Sequence, residues 1–174
     1  MTEQEIAATV DAILVFEGRV FTNDPDDPGL ATRYGITAAN LGVWRRLGRP
    51  ATPAEVEALS EAEARAIYRA DYIEGPGFDE IADPHVRQCV VDFAVHSGVS
   101  RAIGVLQRAV GVAIDFKIGP VTLAAVAAAD PARLVAQITR ARVELLAGWM
   151  RRNPARAKFI GTLTRAVSFL PALG

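Results

Sequence analysis

Ile6, Val10, Ile13 and Leu14 recur at three- and four-residue intervals, the spacing of one helix face. Thr2 and Glu5 ahead of them fit a capping box, in which each side chain satisfies the other's backbone N–H. Together they predict a helix from about residue 3 to 17, stopped by Gly18. There the period breaks. "RVFT" has strand composition, "NDPDDPG" holds too many turn formers for a helix, and "TRYGIT" suits a second short strand. A β-hairpin or small β-lobe is expected directly after the first helix.

Beyond that point the pattern is helical. "TAANLGVWRRLG" ends at Gly48, and "TPAEVEAL" has Thr at the N-cap, Pro at N1 and Glu at N3. "SEAEARAIYRADYIEG" repeats the capping-box signal with Ser60 and Glu63. Asp83-Pro84 opens the apolar run "HVRQCVVDFAVHSG", and Ser100 opens "RAIGVLQRAVG". Gly119-Pro120 and Asp130-Pro131 open two more helices, the second reaching about Met150, and a last one is expected over 155–169. Besides the hairpin, only "VAIDFKIG" reads as something other than helix. The fold class is mainly α, in an α+β arrangement whose small N-terminal β-hairpin lobe carries part of any site. A soft boundary near residue 83 divides residues 1–82 from a helical region, 83–174, with the two expected to pack as one globular unit.

The 174 residues are 51% hydrophobic and 22% charged, a globular composition with ample core material. One cysteine, Cys89 in "VRQCVVDFAV", excludes an intramolecular disulfide and reads as a small buried hydrophobe. No apolar run reaches the ~20 residues of a membrane-spanning helix. The acidic N-terminus does not read as a secretory signal, so the chain is expected to be made in the cytoplasm. Charge is uneven: residues 1–85 carry 16 acidic and 7 basic side chains, residues 131–174 carry 1 and 8. The basic end suits an anionic surface or a solvated helix face. It lacks interleaved aromatics or a nucleic-acid motif, so no nucleic-acid partner is expected.

Glu17 ends the first helix, where the helix dipole disfavours a carboxylate, and Val15-Phe16 precede it. Both settings favour a proton-bearing carboxyl, which a general acid needs. Asp26 lies nine residues later and Thr32 six after that. Asp24 and Asp27 are close by, and either could face Glu17 in place of Asp26. Calcium is not expected: in an EF-hand register starting at Asp24, Pro28 and Gly35 fall where ligands are required. His85 and His96 supply no metal-ligand spacing, and no cofactor is implied. Tyr68 and Tyr72 share a helix face and suit a core; Asp92 and His96 also stand four apart and suit a semi-buried pair. Tyr34, Tyr72 and His96 are candidates to line a substrate cleft, though Tyr34 equally suits hairpin packing.

Glu17, Asp26 and Thr32 match the E-x8-D-x5-T signature of phage-type lysozymes. The wider stretch "FEGRVFTNDPDDPGLATRYGIT" resembles the opening motif of the glycoside hydrolase 108 muramidases, in which E-G-G-Y, N-D-P-D-D-P-G-G and T-x-Y-G-I-T run together. "DFAVHSGVSRAIGVLQRAVGVAIDFKIGPVTLAAV" resembles the peptidoglycan-binding region usually fused to it, so the likeness spans about residues 10–170. Several positions depart from it. Arg19-Val20 replaces Gly-Tyr, leaving Phe21 as the aromatic that would stack on a substrate sugar. Leu30 and Phe116 replace glycines, His96 replaces the more usual Asn, and "FIGTLTRAV" lacks a tryptophan.

The resemblance implies a lysozyme-like fold and hydrolysis of the β-1,4 bond between N-acetylmuramic acid and N-acetylglucosamine. Glu17 would be the acid, with Asp26 and Thr32 holding the attacking water. That is inverting chemistry, with carboxyls ~6.5–9.5 Å apart. It further implies an endolysin of phage type acting in the periplasm on peptidoglycan glycan strands, released with the help of a holin. The chain is expected to be a monomer without stable membrane insertion. The alternative is a peptidoglycan-binding module without catalysis.

Overall fold

A computed structural model describes residues 1–23, 31–152 and 160–170. Backbone contacts divide it into two units, one of residues 2–71 and one of residues 72–174 with Met1.

The first unit begins with α1, Glu3–Glu17, whose capping box is complete: Glu5 Oε2 accepts from the Thr2 N–H at 2.7 Å and Thr2 Oγ1 accepts from the Glu5 N–H at 3.3 Å. Three short strands follow: β1 Thr22–Asn23, β2 Ala31–Arg33 and β3 Ile36–Thr37, antiparallel in the order β1-β2-β3. "TRYGIT" is thus not one strand but a hairpin of its own. Arg33 pairs with Ile36, which leaves Tyr34-Gly35 as a two-residue turn. Both turn residues have positive φ, 53° and 73°, the signature of a type I′ turn whose twist matches that of paired strands. Asn-Gly is the usual signal for it, so the tyrosine hid the turn.

α2 Ala38–Trp44, α3 Pro53–Glu57 and α4 Glu61–Arg69 complete this unit. Its core is built from Ile6, Val10, Ile13 and Leu14 of α1 with Ile36, Leu41, Val56, Leu59, Ile67 and Tyr68. Each such aliphatic side chain contributes roughly 1.5–3 kcal/mol on burial. The Ser60–Glu63 box is half made. Ser60 Oγ caps the Glu63 N–H, but Arg45 takes the Glu63 carboxylate through two bonds of 2.8 and 2.6 Å. A bidentate charged pair outcompetes a neutral amide for that carboxylate. After Arg69 the helix widens into a π-helical turn, Ala70–Glu74.

In the second unit, a 3-10 turn at Phe78–Glu80 leads to α5 Pro84–Ser97, α6 Val99–Ala109, α7 Pro120–Ala128, α8 Pro131–Arg152 and α9 Ile160–Val167. The earlier part of the helix expected from 155 lies outside the described residues. α5 is buried on nearly all sides, with Val86, Cys89, Val90, Val91, Phe93 and Ala94 in the core. Asp92 and Arg142 lie among them, 2% and 1% exposed, joined by Arg142 Nη1 to Asp92 Oδ2 at 2.6 Å. Arg165 Nε of α9 donates to Oδ1 of the same carboxylate, and His96 Nε2 stands 3.6 Å from it. Gln107 closes the loop over 112–119: its amide NH2 donates to Asp115, the Lys117 carbonyl and Thr122, and its oxygen accepts from the Phe116 N–H.

Burial pushes the Asp92 carboxyl up, but the His96 hydrogen bond and the Arg142 charge outweigh it, so it lies below the usual carboxylate range. A lowered folded value adds stability that is present above the unfolded value, ~3.9, and is lost as pH falls through the folded one. Wild type is therefore expected to lose melting temperature more steeply between pH 5 and pH 2 than Asp92→Asn does. Thermal melts across that range check this, and parallel curves refute it.

Candidate active site

The end of α1, the β2–β3 turn and α4 of the first unit meet at one point. Glu17 is the last residue of α1, half-buried, and Gly18 turns the chain away with φ 78° while its N–H bonds the Leu14 carbonyl. Val15 and Phe16 before it and Val20 after it are exposed apolar side chains. The carboxyl sits directly on the Tyr34-Gly35 turn. A Cβ placed on Gly35 would lie 2.4 Å from Glu17 Oε2, 2.8 Å from Glu17 Cδ and 2.7 Å from the Tyr68 hydroxyl oxygen. Glycine is needed here twice over, for the positive φ and for the space.

The turn is pinned from below. Tyr68 of α4 is 2% exposed, and its hydroxyl donates to the Tyr34 carbonyl at 2.7 Å. Tyr34 is itself buried, 7% exposed, with the Arg33 guanidinium 5.2 Å from its ring centre. A tyrosine in the left-handed region costs about 1–2 kcal/mol, a strain that such fixed contacts can hold in place.

Thr32 is half-buried in the middle strand, directly opposite Thr22 on one side and Thr37 on the other. Residues so paired share a sheet face, so three threonines form a row. Thr37 is committed as the N-cap of α2, accepting from the Asn40 N–H at 3.3 Å. Asp26 lies outside the described residues. Phe21 is half-buried just before β1. Tyr72, half-buried in the π-helical turn, and His96, half-buried beside Asp92, belong to the second unit. Arg19, where the resemblance has glycine, pairs with Glu61 at 3.1 Å.

Among the proposed site residues that the structure describes, then, Glu17, Phe21, Thr32 and Tyr34 share a unit, and Glu17 meets the Tyr34-Gly35 turn. Two further residues of this cluster were not assigned from sequence. Tyr68 read as core, which it is, but its hydroxyl also reaches the turn. Gly35 carried a signal in "YG", where a glycine follows an aromatic inside a strand-like run.

The sequence model of the family described as glycosyl hydrolase 108 matches residues 10–98. This chain belongs to that family. A second model, described as "Predicted Peptidoglycan domain", matches residues 101–167. A solved structure from Brucella abortus, SagA, is 34% identical to the chain, superposes with a TM-score of 0.77 and is matched over 97% of each chain. No curated protein matches the chain.

The glycosyl hydrolase 108 assignment makes the chain a glycosidase, and the second match points to peptidoglycan as its substrate. The family boundary falls at Gly98, between α5 and α6, whereas backbone contacts divide the chain after residue 71. Hence α5 lies within the glycosidase match by sequence and in the second unit by packing.

Proposed function

We propose that the chain is an N-acetylmuramidase, hydrolysing the β-1,4 bond from N-acetylmuramic acid to N-acetylglucosamine with Glu17 as general acid. The observation that supports it best is the seat of the Glu17 carboxyl. It rests at the carbonyl end of α1, half-buried on a turn that only glycine permits. The negative end of the helix dipole and the loss of water both favour the form that still holds its proton.

In this reading Glu17 gives its proton to the glycosidic oxygen as the bond to the anomeric carbon breaks. A water adds to that carbon from the other face, and Asp26 takes the proton it loses, with Thr32 orienting it. The family likeness and the nine- and six-residue spacings support these two roles. The outcome is inversion, because water and acid act on opposite faces. Phe21 offers an aromatic face to a sugar, and Tyr34 acts through the backbone it places against Glu17. Tyr72 and His96, both within the glycosidase match, remain candidates for substrate contact. The enzyme serves as an endolysin that reaches the wall from the cytoplasm with a holin's help.

Digestion of purified peptidoglycan, followed by borohydride reduction and mass analysis of the fragments, tests this. Reduced N-acetylmuramic acid ends are expected. Reduced N-acetylglucosamine ends would place the cut at the other bond. Anhydro-muramic ends would mean that the sugar's own 6-hydroxyl, not water, attacks. Wall binding without any fragments would leave a binding module.

A further inference from the structure

The hydrogen-bond inventory at the turn carries the role of Tyr68 beyond packing. A phenol has one hydrogen and two acceptor lone pairs. The Tyr68 hydrogen goes to the Tyr34 carbonyl at 2.7 Å. What the same oxygen presents elsewhere is therefore a lone pair. Glu17 Oε2 and the Tyr68 oxygen both enter the space a side chain on Gly35 would fill, within 2.4 and 2.7 Å of one point. A lone pair turned toward a carboxylate repels it; turned toward a carboxylic acid, it accepts the acid's hydrogen.

We propose that Tyr68 is a positioning residue that keeps Glu17 in its proton-bearing form until the glycosidic oxygen arrives, because its own hydrogen is already committed to the Tyr34–Gly35 turn. The proposal rests on Glu17 being the acid of the muramidase described above. In the resting enzyme the chain of donors runs from the Glu17 carboxyl to the Tyr68 oxygen and from Tyr68 to the Tyr34 carbonyl, each bond polarising the next. No proton is gained or lost by Tyr68 in the cycle.

The test is Tyr68→Phe in the full chain, read in two ways. Carbon-13 NMR of the glutamate side chains, with Glu17 assigned by its loss in Glu17→Gln, gives the pH at which Glu17 ionises. The pH profile on peptidoglycan gives kcat and KM. The Glu17 midpoint is expected to fall by about one pH unit, with kcat near pH 7 down about tenfold and KM unchanged. A role in packing alone would lower the melting temperature and leave the midpoint in place. A midpoint that stays or rises overturns the proposal, a rise meaning that the hydroxyl donates to Glu17. Should Tyr68→Phe fail to fold, a fluorinated tyrosine at position 68, with a weaker lone pair, is expected to move the midpoint in the same downward direction. If wild type is inert on the wall and the midpoint still falls, the Tyr68–Glu17 coupling stands and the muramidase reading alone is overturned.

Discussion

Glu17→Gln is expected to lower kcat/KM on peptidoglycan by 10³-fold or more while leaving the fold intact. Glutamine matches glutamate in length and polarity, so it can occupy the same space on the Tyr34-Gly35 turn. It cannot supply a proton, and a positioned general acid contributes typically 10²–10⁴-fold. Each factor of ten corresponds to about 1.4 kcal/mol of transition-state stabilisation. Stability should not fall. Glutamine, like the neutral carboxyl it replaces, places no charge at the carbonyl end of α1. Reducing-end release and thermal melts on the two proteins give both quantities. Equal rates would move the chemistry away from Glu17.

Gly35→Ala is expected to cost at least 10²-fold in kcat, with a smaller loss of stability. Two penalties apply. Alanine at a φ of 73° is strained by about 1 kcal/mol, and its methyl would lie 2.4 Å from Glu17 Oε2 and 2.7 Å from the Tyr68 oxygen. Of those neighbours, Tyr68 is buried in the core, whereas Glu17 is half-buried and its side chain has more rotatable bonds. The carboxyl therefore gives way, and displacement of about 1 Å in a reacting group can cost 10²-fold. Gly48→Ala is the control. Its φ is 69°, but nothing among the described residues lies within 4 Å of the added Cβ, so it should share the strain and keep the activity. Similar activity in the two variants would mean that the Glu17 seat does not depend on the turn.

What could be read from the chain beforehand followed from local rules. The first helix, its Thr2–Glu5 box and its stop at Gly18 need only period and cap chemistry, and the structure has all three. The β region was legible as turn formers between apolar stretches. Its three strands were not, because a type I′ turn with tyrosine at its first position lacks the usual Asn-Gly signal. The Ser60–Glu63 box looked as sound as the other two, yet Arg45, eighteen residues away, takes the glutamate. Tyr68 lies 34 residues from Tyr34, so no spacing rule could reveal that its hydroxyl reaches that carbonyl. The same holds for Asp92, whose arginine partners are 50 and 73 residues further along. One departure from the family pattern gains a physical meaning. Phe116, where the resemblance has glycine, adopts a φ of 62°, so the usual glycine suits a left-handed corner. Here the Gln107 bond to the Phe116 N–H and the fit of the ring against Gly104 hold the phenylalanine there instead.

The one thiol has a practical consequence. Cys89 is buried in α5, and burial pushes its thiol up to about 11. At neutral pH it is almost wholly uncharged and out of reach of maleimides and spin labels. The protein is therefore its own cysteine-free background. A single cysteine introduced on an exposed position such as Val20 or Val43 would carry a fluorophore at a defined place without removing any native residue from the core.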